Sequence, residues 1–456
     1  MARSIGSLLL LGASGDLSRR LLLPAFGQLL DQQESRRGVV LVGAGAEDWD
    51  ADAWRERVRT SFATAEVSDE TLQSVVAKTR YKQADVTNVQ DLKSLIDSCP
   101  SAPALYFALP PSVTVSACTA LQQLSLPAGT ALVLEKPFGT DQQSAASLNQ
   151  LLAELVPEDQ VHRVDHFLGR STVLNLIGVR FANRLLEPVW SNEHIERVDI
   201  VFDEQLTLEN RAGYYDRAGA LMDMIQSHLL QVLALTAMEP IAAANAMDLG
   251  DAKAQVLRAC RPWGNDPVSA GRRARYTRGS IDDRDVPDYT AEPGVDPARN
   301  TETLAELVVE IDNWRWSGVP FRLRSGKAVR ERRKETLITF RPVPHLPIGL
   351  HGQPIPDQLR LTMGPDRMAL EMNVNGPDDP LVLERIALDT DLTPGRLPPY
   401  GEVLAGVLDG DPLLSVRGDT AEECWRIVDP VLQAWRDGKA PMDEYAAGSD
   451  GPSNWS

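Results

Sequence analysis

The sequence predicts an α/β fold of two domains, in which a parallel sheet comes first and a larger α+β domain with a mostly antiparallel sheet follows. Short, continuously apolar runs alternate with helical patterns over about the first 100 residues, as in parallel sheets covered on both faces. From about residue 190 onward polar and apolar residues alternate, which is typical of half-exposed antiparallel strands. Because 456 residues are many for one core, we place the first domain over 1–170 and the second over 171–456.

Each element follows from one of these patterns. In the first domain we predict buried strands at 7–12, 38–45, 104–111 and 131–139, and a helix at 17–33. In the second domain we predict half-exposed strands at 195–204, 304–316, 334–343 and 357–365, and a helix at 220–238. Residues 262–300 are rich in Gly, Pro, Arg and Asp, so we interpret them as a long surface loop.

The composition excludes several classes of function. The formal charge of −18 argues against a nucleic-acid partner, because phosphate backbones need clustered Lys and Arg. No apolar run reaches membrane-spanning length, and the run after Met1 lacks the flanks of a signal peptide. The cysteines form no CxxC pair, which favours reduced thiols over disulfides or a zinc site. We therefore expect a cytoplasmic enzyme that contains no metal.

A turn containing two glycines follows the first predicted strand. The segment GASGDLSRR begins at Gly12, and Gly12 and Gly15 allow a pyrophosphate to approach the N-terminus of the next helix closely. The spacing is G-x-x-G rather than the full G-x-G-x-x-G, so an ordinary strand-to-helix turn remains an alternative. The strand before it and the helix after it favour a Rossmann-type dinucleotide-binding domain.

Five longer motifs occur in order along the chain: GASGDLSRRLLLPAF, EKPFG, RVDHFLGR, RAGYYDRAGALMDMIQSHLLQ and NWRWSGVPFRLRSGK. With YAAGSDGP at 445–452, this series resembles the glucose-6-phosphate dehydrogenase family over nearly the whole length. The resemblance implies a Rossmann-type domain joined to a β+α domain, commonly assembled into homodimers or homotetramers. It also implies hydride transfer from C1 of glucose 6-phosphate to NAD or NADP, giving 6-phosphogluconolactone in the pentose phosphate pathway.

Oxidation of an anomeric hydroxyl needs a base for the hydroxyl proton, and histidine suits that task at neutral pH. A single histidine in a predicted helix is more often structural, but the resemblance implies that His228 of QSHLLQ is the catalytic base. It implies likewise that Asp165 orients this histidine and stabilises its cationic form, as the aspartate of a catalytic triad does. Taken alone, Asp165 is also consistent with a turn or a helix cap.

An acidic protein that binds an anionic sugar phosphate needs a local basic cluster. Single Lys and Arg side chains are usually solvated surface charges, but several together supply charge-assisted donors for a dianion. The resemblance implies that such a cluster consists of His166, Arg170, Lys327 and Arg332. The remaining substrate contacts that it implies are Glu204 and Asp223, which accept from sugar hydroxyls, and Lys136, which lies near the substrate and the nicotinamide.

The expected cofactor-binding residues lie mainly in the glycine turn and after the second strand. They are Gly12, Ala13, Ser14, Gly15, Asp16, Leu17, Ala46, Glu47, Pro110 and Lys136. Where the family commonly places a lysine and an arginine on the 2′-phosphate of NADP, this chain has Leu21 and Ala46, and Glu47 and Asp48 follow. We therefore predict that NAD is preferred over NADP, although Arg19 and Arg20 are near enough to contact a ribose phosphate.

Several departures from the family pattern leave the sugar open. They are Arg170 for a lysine, Phe167 for a tyrosine, Ser227 for an asparagine and Met222 for an arginine. A dehydrogenase of another hexose phosphate or of an amino-sugar phosphate is therefore an alternative. A non-catalytic regulatory paralogue is a second one, but a protein that only binds has no need of the base, so the retention of Asp165 and His228 speaks against it.

Overall fold

The computed structural model of the chain describes residues 5–209 and 212–455. Within that part of the chain, six strands form a parallel sheet in the order β3-β2-β1-β4-β5-β6, the Rossmann-type order. Their bounds are β1 Ser7–Leu11, β2 Val40–Gly45, β3 Arg80–Gln83, β4 Pro103–Phe107, β5 Ala131–Glu135 and β6 Val161–Val164. Every residue of β1 and β4 is buried, which is why these strands are continuously apolar.

Helices connect the strands of this sheet, and polar caps begin most of them. Asp50, Ser68, Asn88 and Asp141 each accept a backbone N–H at the first turn of a helix. The helices are Leu23–Gln32, Ala51–Ala63, Asp69–Val76, Val89–Asp97, Pro111–Leu121 and Gln142–Leu155, with short turns at Glu34–Arg36 and Glu158–Gln160. The helix predicted at 17–33 begins as a π-helical turn, Ser18–Leu22, before it becomes α-helical.

A late segment of the chain belongs to the same compact unit as this sheet. The first unit contains the residues up to Arg170 together with Ile241–Asp251 and Gly395–Glu422. The helix Pro399–Asp409 places Leu404, Val407 and Leu408 in the apolar core of the sheet and its helices. The predicted second domain, 171–456, includes this segment, so the prediction is wrong here. An apolar helix face does not show from the sequence alone which core the helix joins.

The second unit contains Ser171–Pro240, Ala252–Pro394 and the residues from Glu423 onward. Its main sheet has the order β17-β16-β15-β14-β7-β13-β12-β9-β18, and β8 also pairs with β12. Among the described strands, β7 with β13 and β9 with β18 are the parallel pairs, so the sheet is mostly antiparallel. The strands are β7 Ile195–Asp203, β8 Cys260–Pro262, β9 Gly271–Thr277, β10 Gly279–Ile281, β11 Arg284–Val286, β12 Leu304–Ile311, β13 Phe321–Gly326, β14 Arg333–Phe340, β15 Gln358–Thr362, β16 Arg367–Asn375, β17 Leu383–Asp391 and β18 Met442–Ala446.

The helix predicted at 220–238 lies within a longer helical run. The run consists of Ala212–Ala220, the π-helical Leu221–Leu229 and the α-helical Leu230–Ala237. Among the described residues, this run is the one long and apolar enough to cross a membrane by length and composition, but most of it is buried as in a core helix. The remaining helices are Ser171–Phe181, Ala246–Ala259, Pro267–Ala270 and Gly418–Arg436, with short turns at Glu187–Val189, Trp263–Asn265, Tyr289–Ala291, Pro297–Arg299 and Ser453–Trp455.

The prediction of a surface loop over 262–300 is wrong. This stretch contains β9, which pairs with β12 and β18, and the hairpin of β10 and β11. Arg273 of β9 is buried, and its guanidinium donates to the carbonyls of Trp435 and Ala440. Arginines that are bound in this way give a central strand a polar composition that resembles that of a loop.

Candidate active site

The glycine turn after β1 fits closely against its neighbours. Gly12 has a φ of +87°, and a Cβ at this position would lie 2.3 Å from the carbonyl oxygen of Ala108. The backbone N–H groups of Gly12 and Ala13 both donate to the carbonyl of Ala44 at 2.9 Å. Glycine is therefore required at position 12, and the turn is held tightly at the carboxyl end of the parallel strands.

Glu47 lies beside this turn, just after β2. Its Oε2 is 2.9 Å from the point that a Cβ on Gly45 would occupy, and the hydroxyl of Ser14 is 3.4 Å from the same point. The hydroxyl of Tyr81 donates to the carbonyl of Glu47 at 2.9 Å. Burial, and then the carboxylates of Glu47 and Asp48, raise the pKa of Tyr81 to about 12, so this donor stays protonated.

The cations near the turn are engaged with an acidic neighbour. Arg19 and Arg20 approach the carboxylate of Asp16 at 3.2 and 3.3 Å, and all three side chains are mostly exposed. Leu21 is 46% exposed and adds no charge. The Glu47 carboxylate thus lies beside the glycine turn, and Arg19 and Arg20 are paired with Asp16.

The other residues predicted to bind the cofactor follow further strands of the same sheet. Pro110 comes after β4 and immediately precedes the helix Pro111–Leu121, and Lys136 follows β5. Because the carboxyl ends of parallel strands meet at one edge of a sheet, the glycine turn, Glu47, Pro110 and Lys136 share that edge. The structure therefore brings these predicted cofactor-binding residues together at one edge of the sheet.

Glu135, the first residue of EKPFG, is a half-buried acid at this edge that sequence reasoning did not single out. Its Oε1 accepts from the hydroxyl of Tyr106 at 2.5 Å, and its Oε2 accepts from that of Tyr400 at 3.5 Å. Burial raises the pKa of Glu135 to about 7, and the hydrogen bond from Tyr106 and the charge of Lys136 offset part of the rise. The motif EKPFG led to a prediction for Lys136 alone, although the acid that precedes it in the same motif could have been considered.

Asp165, His166 and Arg170 lie on a turn that follows β6. Asp165 is buried, and its Oδ1 accepts the backbone N–H of Phe167 at 2.9 Å. The ring of His166 stacks on Tyr400 with centroids 5.5 Å apart and planes 16° apart. The Arg170 guanidinium lies 5.1 Å from the centroid of the Phe167 ring, so the two departures from the family pattern contact each other.

In the second unit, His228 and Asp223 lie on the π-helical segment Leu221–Leu229. His228 is buried, and Oδ1 of Asp223 accepts from the hydroxyl of Tyr214 at 3.1 Å. In an α-helix, two residues five positions apart point about 140° away from each other. In a π-helix hydrogen bonds join residues five apart, so Asp223 and His228 lie on nearly the same face.

Glu204, which follows β7, is shared by two lysines. Nζ of Lys327 donates to Oε2 of Glu204 at 3.0 Å, and Nζ of Lys334 donates to Oε1 at 2.9 Å. Burial alone would raise the pKa of Glu204, but the two ammonium groups outweigh it and lower that pKa below its usual value. Lys334 also lies over the ring of Phe202, 3.8 Å from its centroid. The sequence analysis missed Lys334, although it ends the basic run Arg330–Lys334.

The two phosphate candidates of this unit, Lys327 and Arg332, differ in their surroundings. The backbone N–H of Lys327 donates to the carbonyl of Thr303 at 2.9 Å, and its carbonyl accepts from Tyr445 at 2.6 Å. The next residue, Ala328, is buried with a φ of +52°, a conformation that alanine rarely adopts. Arg332, in contrast, is exposed, and its guanidinium lies beside Gly364 after β15.

Known family models match nearly the whole chain. The family model for the glucose-6-phosphate dehydrogenase NAD binding domain matches residues 9–175, and the model for the C-terminal domain of the same family matches residues 177–456. Glucose-6-phosphate 1-dehydrogenase of Gluconobacter oxydans (strain 621H) is 38% identical over 97% of this chain and 93% of the relative.

Two solved structures are similar throughout. Glucose-6-phosphate 1-dehydrogenase from Mycobacterium avium is 34% identical with a TM-score of 0.87, covering 100% of this chain and 96% of that one. A glucose-6-phosphate dehydrogenase in complex with its substrate glucose-6-phosphate is 27% identical with a TM-score of 0.88, covering 99% and 96% of the two chains.

The shared carboxylate leads to a prediction about stability. Lys334→Met keeps the contact with Phe202 and removes one donor from half-buried Glu204, so the free energy of unfolding at pH 7 should fall by about 1–3 kcal/mol. Because the pKa of Glu204 is lowered by folding, the ion pairs stabilise above the unfolded pKa and lose their effect as the pH falls through the folded one. The deficit should therefore shrink in acid, as urea unfolding at several pH values would measure.

Lys439→Met is the matched control for this experiment. Lys439 also pairs with a carboxylate, Asp437 at 2.8 Å, but its side chain is 61% exposed. Exposed pairs contribute little, so this variant should unfold like the parent at every pH. A Lys334→Met deficit equal to that of the control would contradict the importance of the Lys334–Glu204 pair.

Proposed function

The chain belongs to the glucose-6-phosphate dehydrogenase family, and we propose that His228 is the general base with which it oxidises its substrate. The enzyme transfers a hydride from C1 of glucose 6-phosphate to a nicotinamide dinucleotide and forms 6-phosphogluconolactone. The observation that carries the assignment of the base is the π-helical segment Leu221–Leu229, which buries His228 and places Asp223 on nearly the same face.

The base removes the proton of the C1 hydroxyl while the hydride leaves C1. Burial within a helix fixes the position of the imidazole, which a general base needs in order to reach one hydroxyl. Asp223, which is only half-buried, is suited to accept from a sugar hydroxyl on the same face. We assign Asp165 the role of orienting His228 on the family match, and a variant described below tests that role.

The phosphate is held by His166, Arg170, Lys327 and Arg332 in this proposal. Lys327 has a special position among them, because it shares Glu204 with Lys334. Two ammonium groups against one carboxylate leave an excess positive charge that a phosphate dianion can compensate. Glu204 then keeps free lone pairs to accept from a sugar hydroxyl.

The residues at the carboxyl edge of the parallel sheet fit a dinucleotide. A Cβ on Gly12 would fill the space against Ala108, and the turn leads into a helix, an element whose N-terminus favours anions. The glycine turn would hold the pyrophosphate, and Glu47, Pro110 and Lys136 would contact the remaining parts. When bound, the nicotinamide ring accepts the hydride.

We further propose that NAD is preferred over NADP. The carboxylate of Glu47 beside Ser14 is suited to accept from a ribose hydroxyl and would repel a 2′-phosphate. Arg19 and Arg20 would have to leave Asp16 to compensate that phosphate. We also propose a cytoplasmic homodimer or homotetramer on the family resemblance. The first domain boundary is proposed near residue 170, and Ile241–Asp251 and Gly395–Glu422 return to the first unit.

The base assignment predicts the effect of two amide substitutions. His228→Asn should lower kcat by several orders of magnitude with little change in KM, because the base acts in the transition state. Asp165→Asn should cost up to about 10⁴-fold, as for the orienting aspartate of a triad. His162→Asn is the matched control, since this buried histidine on β6 bonds to Ser415 and should leave kcat unchanged. Near-normal turnover of His228→Asn would refute the assignment.

The role of Lys327 predicts a difference between two substrates. Lys327→Ala should raise KM for glucose 6-phosphate by about 10- to 100-fold, because a charge-assisted contact to the phosphate is lost. KM for unphosphorylated glucose, already poor, should change far less. Lys439→Ala removes an exposed lysine and should affect neither substrate. Equal losses for both substrates would show that Lys327 does not contact the phosphate.

The cofactor preference is tested by measuring kcat/KM for NAD and for NADP at saturating glucose 6-phosphate. The parent should favour NAD, and Ala46→Arg should raise kcat/KM for NADP, because it supplies the cation that a 2′-phosphate needs. Ala63→Arg adds the same charge at an exposed position on the helix Ala51–Ala63 and should change neither value. A parent that favours NADP tenfold or more would overturn the proposal.

A further inference from the structure

The start of the helical segment that carries His228 is held by the side chain of Glu302. This residue lies two positions before β12 and is 6% exposed. Its Oε1 accepts the backbone N–H of Leu221, the first residue of the π-helical segment, at 3.0 Å. A carboxylate at this place satisfies an N–H that the first turn of a helix cannot bond by itself.

Gly219 provides the space for this contact. It has a φ of +67° and a ψ of 176°, and so it interrupts the helix just before Leu221. A Cβ on Gly219 would lie 2.4 Å from Oε1 of Glu302 and 2.7 Å from its Oε2. The carboxylate therefore occupies the volume that any other residue at position 219 would need, and the glycine and the glutamate form one fitted pair.

The residues on either side of Glu302 bind other parts of the site. Oγ1 of Thr301 donates to the carbonyl of Asp216 at 2.6 Å, in the helix that leads to Gly219. The carbonyl of Thr303 accepts the backbone N–H of Lys327 at 2.9 Å. Three consecutive buried residues thus connect the helix of the base with the segment of the phosphate-binding lysine.

We propose that Glu302 is a positioning residue that sets the place of His228 and Asp223 by accepting the N–H of Leu221. The inference rests on the proposed role of His228 and adds a group that contacts neither substrate nor cofactor. A base that is displaced by about 1 Å can lose about 10²-fold in rate, so the anchor at the start of its helix matters to turnover.

The proposed role depends on an acceptor oxygen rather than on negative charge. Burial raises the pKa of Glu302 to about 7, while the N–H of Leu221 and the nearby Arg273 offset part of that rise. The ionisable groups that interact with it are Arg273 of β9 and the phenols Tyr215 and Tyr289. Protonation of one carboxyl oxygen still leaves the other as an acceptor, so an amide should replace the acid.

Two conservative variants distinguish the effect of side-chain length at position 302 from the effect of its charge. Glu302→Gln keeps the length and the acceptor, so kcat should stay within about threefold of the parent. Glu302→Asp keeps the charge but shortens the side chain, so kcat should fall by about 10²-fold. KM for the dinucleotide should stay the same in both. With glucose 6-phosphate deuterated at C1, the isotope effect on kcat should rise in the Asp variant, because a displaced base makes hydride transfer rate-limiting.

The matched control pair is Glu306→Gln and Glu306→Asp. Glu306 is another buried carboxylate nearby in sequence, on β12, but its Oε2 lies 3.7 Å from Arg322 rather than against the helix. Both control variants should keep the parent's kcat and isotope effect per folded enzyme. The proposal is overturned if Glu302→Asp behaves like these controls, or if Glu302→Gln loses as much as Glu302→Asp.

Hydrogen exchange provides a second readout that needs no substrate. The amides of residues 219–230 should exchange faster in Glu302→Asp than in the parent, in Glu302→Gln or in the Glu306 variants. This measurement tests the anchoring role of Glu302 separately from the proposed role of His228, because it does not depend on which substrate the enzyme oxidises. Unchanged exchange in Glu302→Asp would overturn the anchoring role, whereas an active His228→Asn enzyme would overturn the proposed base instead.

Discussion

Burying a carboxylate is unfavourable unless hydrogen-bond donors surround it, and this constraint organises both units of the protein. Tyr106 and Tyr400 donate to Glu135, two lysines donate to Glu204, and a helix N-terminus donates to Glu302. In each case the donors come from elements distant in sequence, so satisfying the acid also fixes those elements. Among the residues with proposed roles, Lys136 follows Glu135, Lys327 donates to Glu204, and His228 lies on the helical segment whose first N–H donates to Glu302.

Under the proposed phosphate-binding role of Lys327, the acidity of the whole chain explains the use of a second lysine on Glu204. A net charge of −18 creates a field that opposes the approach of a phosphate dianion from solution. A single lysine paired with one carboxylate would present no net charge to that dianion. With Lys334 present, Glu204 is compensated while positive charge remains, and the low exposure of both ammonium groups limits screening by salt.

Sequence reasoning succeeded where the signal was local and failed where it depended on contacts between distant segments. Continuous apolar runs identified β1, β2, β4 and β5, because burial on both faces leaves no polar positions. The short β3 and the bound arginines of β9 offered no such run. Lys334 lies 130 residues from Glu204, and Glu302 lies 81 residues from Leu221, so neither contact could be detected from sequence spacing. The roles of His228, Asp165 and the phosphate cluster stay predictions from the family resemblance.

The π-helical geometry of Leu221–Leu229 explains why an anchor such as Glu302 is needed. A wide turn has poorer hydrogen-bond geometry than an α-helix, and it persists only where the surroundings stabilise it. An α-helix over the same residues would direct Asp223 and His228 about 140° apart, and one of them would be lost to the site. The π-helical geometry is therefore useful because it differs from that of an α-helix. Gly219 ends the preceding helix, Glu302 accepts the first N–H of the segment, and the regular helix Leu230–Ala237 follows it. The segment is thus held at both ends, at the place where the proposed base and a proposed substrate contact share nearly the same face.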